Sequence, residues 1–147
     1  VMLAGCILGA KRGALAFLLF LLLVVIGLPV LSGGRGGLAV IAGPSGGFII
    51  GWVVAAFVTG LIAERMVREG QAETRQFIGF FLASVLGGIV VLYAIGMPWV
   101  SVVTGTPLLT VATGSLAFIP GDLLKAAIAT LAARAVYAGY PLLPART

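Results

Sequence analysis

The sequence predicts an all-α integral membrane protein, and three observations carry that expectation. Apolar residues gather into runs at 1–10, 14–31, 48–63, 77–97 and about 116–139. Hydrophobic residues make up 61% of the chain and charged residues only 9%, with a mean hydropathy of +1.24. A soluble domain carries about 25% charged residues, so a lipid bilayer is the solvent that fits this composition. Threading the runs back and forth across a bilayer also sorts almost all the basic residues to one side.

The runs can be taken in order. A spanning helix needs roughly 20 apolar residues. The first run, VMLAGCILGA, is half that length and reads as the end of a helix whose start is not in the sequence. It lacks the basic opening of a signal peptide. Runs 14–31 and 77–97 qualify outright. Run 48–63 reaches the length once Gly46, Gly47 and a few flanking polar residues are added. Run 116–139 qualifies once Pro120, Asp122 and Lys125 are accommodated. Between the second and third runs lies a glycine-rich loop, 32–47. From Gly33 to Gly51 the chain holds eight glycines, in GGRGGLAVIAGPSGGFIIG. The loop is either a flexible connector or a folded segment over a cavity, since non-helical backbone at membrane depth needs a cavity or buried surroundings.

On this threading Lys11, Arg12, Arg65, Arg68, Arg75, Arg134 and Arg146 share one side, and Arg35 stands alone on the other. The positive-inside rule makes the first side cytoplasmic. The C-terminus is then cytoplasmic, and loop 32–47 and the segment after Met97 face outward. Gly47, Gly51 and Ala55 recur every fourth residue, a small-residue stripe suited to close helix packing. Glu64, Arg65, Arg68, Glu69, Glu73 and Arg75 read as a solvated loop or a docking surface.

Several function classes fall away. The chain has no histidine and one cysteine, Cys6. Ser-His-Asp and Cys-His catalysis, HExxH zinc and CxxC chemistry are therefore absent from this sequence. A phosphate-binding GK[ST] loop is also missing, so no cofactor or ATP hydrolysis is expected of this chain itself. The net charge of +5 reports membrane topology rather than a nucleic-acid partner.

The informative residues are Asp122 and Lys125, in the otherwise apolar FIPGDLLKAAIATLAARAV. Pro120 suits the first turn of a helix. Asp122 follows in that turn, where the helix dipole favours a carboxylate. Lys125 is three residues on, on the same face. Ionisable groups in a span usually mark a functional site, and the pair offers an acceptor and a donor to a small polar ligand near the outer face. A self-neutralised structural ion pair is the alternative. Tyr93 and Trp99 flank Gly96-Met97-Pro98 and serve either an interfacial aromatic belt or an apolar wall for a ring system. Arg35 is available for a ligand carboxylate.

LGAKRGALA, GLPV, GGRGG, GPSGGFIIGW, YAIGMPW and FIPGDLLKA occur in this order along almost the whole chain. Together they resemble the BioY family, the biotin-binding S components of energy-coupling factor (ECF) transporters; FIPGDLLK and GPSGGFIIG are the specific stretches. The family usually has threonine and tyrosine where this chain has Ser45 and Phe48. The resemblance implies a six-helix S-component fold with both termini cytoplasmic, of which this sequence would lack the first helix and the start of the second. It implies biotin as ligand, and a membrane-embedded T component and ABC-type ATPases as partners. In that frame Asp122 would accept from a ureido N–H and Lys125 would donate to the ureido carbonyl or the carboxylate. Tyr93 and Trp99 would pack on the rings, and Ser45, Gly46 and Gly47 would contribute a hydroxyl and backbone donors. An S component for thiamine or riboflavin, a structural membrane subunit, and an enzyme using Lys125 are the competing expectations.

Overall fold

The computed structural model describes residues 1–143. Arg146, grouped above with the basic side, lies outside the described residues. Every named element among them is helical, with one isolated β-bridge between Leu31 and Arg35.

Helix α1 spans Met2–Val25 but is broken at Gly9, whose backbone is left-handed (φ 81°). L-residues with a Cβ resist that conformation. The chain doubles back there: a methyl group at Gly13 would stand 3.3 Å from the Ala4 carbonyl oxygen. A new helical stretch begins at Ala10, and its N–H needs an acceptor outside the helix. Glu64 supplies it, accepting from Ala10 at 2.8 Å. Sequence alone grouped Glu64 with the exposed charged loop; instead it lies on a helix and caps another. Helix α1 closes at Val25, short of the expected end at 31. The Gly27 N–H meets the Val24 carbonyl and the Leu28 N–H meets the Leu23 carbonyl, the paired bonds of a Schellman closure.

Segment 26–37 turns back on itself and is tied to α1 by Gly37 N–H donating to Val24 O at 2.7 Å. A short helix α2, Leu38–Ala42, and a turn lead into α3, Gly46–Met66. Gly46 and Gly47 thus belong to a helix rather than to the loop. Helix α3 packs on α1 and on the long helical stretch 73–104 that follows it. Its glycines permit close approach. At Gly60 a Cβ would overlap the backbone of Gly9 and Ala10.

Helix α4, Glu73–Val85, a π turn over Leu86–Val91, and α5, Leu92–Thr104, form one unbroken rod. The span expected at 77–97 is therefore longer at both ends: the helix starts at Glu73 and runs through Pro98. It stops at Gly105, which is left-handed (φ 69°). Helix α6, Leu108–Ser115, and a 3-10 turn, Leu116–Phe118, lead into α7, Ile119–Gly139. Four helical stretches among the described residues are long and apolar enough to cross a membrane. Leu15, Leu19 and Leu22 on α1 and Leu124, Ile128 and Leu131 on α7 are exposed, as lipid-facing residues are.

The tightest core lies toward the Gly9 turn. Cys6, Ala63, Val67, Phe80, Ala83 and Ala133 pack together, all buried. Cys6 Sγ lies 3.5 Å from Ser84 Oγ. Farther along, Thr59 is fully buried against Gly87, and its hydroxyl has no hydrogen-bond partner among the described residues.

Candidate functional site

Asp122 sits in the first turn of α7 with Pro120 just before it. Its carboxylate accepts two side-chain hydrogen bonds. Tyr93 of α5 donates its hydroxyl to Oδ2, and Lys125 donates from Nζ to Oδ1 at 2.9 Å. The Asp122 side chain is 17% exposed and that of Lys125 is 73% exposed. The pair therefore opens at a surface instead of closing a core. Beside it lies a cavity of about 280 Å³, lined by Met2, Gly88, Leu92, Asp122, Lys125 and Ala129 among others. The polar groups converge on one edge of an otherwise apolar hollow, the usual character of a small-molecule site.

The π turn changes the phase of the helix ahead of Tyr93. Upstream on the same rod, Phe80, Ala83, Ser84 and Gly87 are buried. A regular α-helix would next bring positions 94 and 98 to that face. Ala94 and Pro98 are exposed instead, while Gly96 is buried and Tyr93 and Trp99 are half-buried. A π turn fits an additional residue into the same rotation. The inward face consequently moves along by one residue, from 94 and 98 to 95 and 99, both half-buried, and Tyr93 stands to one side of it, where its hydroxyl meets Asp122 of α7.

Phe48 supports Tyr93. Their rings meet edge-on, with centroids 6.1 Å apart and planes at 89°. The Phe48 ring occupies the space a side chain would need at Gly96. Sequence reading had given neither Phe48 nor Gly96 a part here. Its one available signal was Gly96 three residues after Tyr93, on the same helix face.

Trp99 lies farther along α5. Its Nε1 donates to Gly43 O at 3.0 Å, and its side chain packs where substituents at Gly46 and Gly47 would stand. The Gly46 N–H also donates to Gly43 O, at 3.0 Å, and the Gly43 N–H to Ala39 O. These donors are used within the turn. Ser45 precedes α3, is exposed, and makes no side-chain cap. Arg35 is exposed in loop 26–37, where its Nε donates to Ser32 O at 3.1 Å. The structure thus joins Tyr93, Asp122 and Lys125 into one cluster and gathers Trp99, Gly46 and Gly47 into a neighbouring one. No hydrogen bond or ion pair among the described residues links Arg35 to either. No grouping of metal-ligating side chains occurs among the described residues.

An apolar bundle with several helices of spanning length and a polar cluster beside a cavity defines a multi-pass membrane protein with a candidate small-molecule site. Comparison with known proteins makes this specific. A sequence model described as the BioY family matches residues 1–142, and the chain belongs to the BioY family. It is 58% identical over 146 residues to the biotin transporter BioY of Rhizobium etli, covering 99% of this chain and 78% of that protein. It is 48% identical over 145 residues to the biotin transporter BioY of Rhodobacter capsulatus, covering 92% and 74%. Among solved structures it is similar to the S-component for biotin from an ECF-type ABC transporter. That match has a TM-score of 0.84 and 35% identity, and covers 93% of this chain and 71% of the other. The fold is accordingly that of an ECF S component, and the family is one of transporter subunits.

Proposed function

We propose that this chain binds biotin beside Asp122 and acts as the substrate-capture subunit of an ECF-type ABC transporter. The observation that carries the reading is the Tyr93–Asp122–Lys125 cluster at the edge of the cavity. Biotin presents two ureido N–H donors and a carbonyl. A carboxylate held as an acceptor and an ammonium held as a donor complement that pattern. Such pairing discriminates, because an analogue without the matching group leaves buried protein atoms unpaired. Lys125 donates to the ureido carbonyl or to the ligand carboxylate. Trp99, Gly46 and Gly47 build the neighbouring wall; Ser45 and Arg35 stand on the outer rim.

The chain spans the cytoplasmic membrane of a prokaryote several times, with the basic side and C-terminus in the cytoplasm and the Asp122 end outward. It works by binding and not by catalysis. Energy comes from ABC-type ATPase subunits coupled through a membrane-embedded T component.

Calorimetric titration of biotin, thiamine and riboflavin into the purified full-length protein in detergent tests this reading. Saturable binding of biotin alone is expected. Asp122→Asn and Lys125→Ala should each weaken it by about 2 kcal/mol, the scale of a hydrogen bond to a charged group. Binding unaffected by either change would remove the assigned site. A folded protein that binds none of the three would remove the function.

A further inference from the structure

The two donors on Asp122 are not equivalent. Lys125 reaches it from the same helix, three residues away, and its flexible side chain is 73% exposed. A pair of that kind fixes geometry weakly, since the lysine gives up rotamer freedom to stay in place. Tyr93 reaches it from a different helix and is half-buried. Its ring is held edge-on by Phe48, which is itself seated over Gly96. A phenol has one hydrogen to give. Given to Asp122, it is no longer available to a ligand, so the hydroxyl in this arrangement works on the carboxylate.

We infer that Tyr93 is a positioning residue whose hydroxyl, braced by Phe48 on Gly96, fixes the Asp122 carboxylate as an oriented acceptor for a ligand N–H. The inference rests on the biotin reading for its ligand and departs from the expectation that Tyr93 packs on the ligand rings. Tyr93 orients, Asp122 accepts, and Lys125 remains free enough to move toward an incoming ligand oxygen. Pre-setting an acceptor in this way removes part of the ordering cost of binding.

The test is a double-mutant cycle on biotin affinity with Tyr93→Phe and Asp122→Asn, measured in the full-length protein. Tyr93→Phe keeps the ring and its contact with Phe48. Alone it should weaken biotin about tenfold, the loss of one hydrogen bond to a charged group. With Asn at position 122 it should change affinity by less than about twofold, because two residues acting through one contact are not additive. An equal loss in both backgrounds would overturn the inference and give Tyr93 a ligand contact of its own. A second readout needs no ligand. The infrared carboxylate band that disappears in Asp122→Asn should shift in Tyr93→Phe; an unmoved band overturns the inference. If the folded protein does not bind biotin, the functional reading fails and the infrared band alone decides the positioning role.

Discussion

At the end of the bundle that carries Gly9, Glu64 and Val67, the helices meet backbone to backbone. Gly60 lies under the Gly9–Ala10 peptide, Glu64 caps the restarted helix, and Cys6, Phe80 and Ala83 fill the space between. At the end that carries Tyr93 and Asp122, the polar side chains bond to one another beside a cavity of about 280 Å³ whose lining includes Val1, Met2 and Leu3. The same composition builds both. The difference lies in what meets each glycine, backbone at the closed end and the Phe48 and Trp99 rings at the other, and in where the carboxylates are spent: Glu64 on a backbone amide, Asp122 on the Tyr93 and Lys125 side chains.

Four changes break or sharpen that contrast, from the largest effect down. Gly60→Leu forces a side chain into the Gly9–Ala10 backbone. It should cost about 3 kcal/mol or more, seen as loss of monodisperse protein or a collapse of the melting temperature in detergent. Glu64→Ala leaves the Ala10 N–H without its cap and should cost about 1–2 kcal/mol, whereas Glu64→Gln, which keeps a carbonyl oxygen, should recover most of it. Thermal melts of the two variants side by side check this. Trp99→Phe, at the open end, deletes the bond to Gly43 O but keeps the ring. It should lower stability by about 1 kcal/mol, read from denaturation of the solubilised protein. Deletion of Val90, exposed in the π turn, should have the smallest effect. The turn relaxes to an α-helix, and Tyr93 still faces Asp122. Biotin affinity should stay within about threefold, while insertion of one alanine after Val90 rotates Tyr93 by roughly 100° and should lower affinity far more. If deletion and insertion are equally damaging, the π turn does not set the phase of α5.

The helical membrane fold was legible because apolar runs of spanning length dominate the chain, and Asp122 and Lys125 stood out because charges in such runs are costly. The remainder depends on contacts between distant segments. Nothing in the run LGGIVV distinguishes a π turn from an α-helix, so the helix face carrying Tyr93 could not be assigned from periodicity. The apolar run read as 77–97 continues as helix through Pro98 to Thr104 and stops only where Gly105 turns left-handed. Glu64 looked like one more loop charge until the Gly9 turn brought the Ala10 amide to it. Phe48 was noted as a departure from the family pattern, and its role came only with Gly96 beneath it.

The unpartnered Thr59 hydroxyl has a practical consequence. An unsatisfied buried hydroxyl holds a folded protein below the stability its packing alone would allow, by about 1–3 kcal/mol. Thr59→Val keeps the branched shape, removes the oxygen, and touches neither Asp122 nor Tyr93. It therefore offers a sturdier form of the protein for work in harsh detergents, with its ligand preferences left as they are.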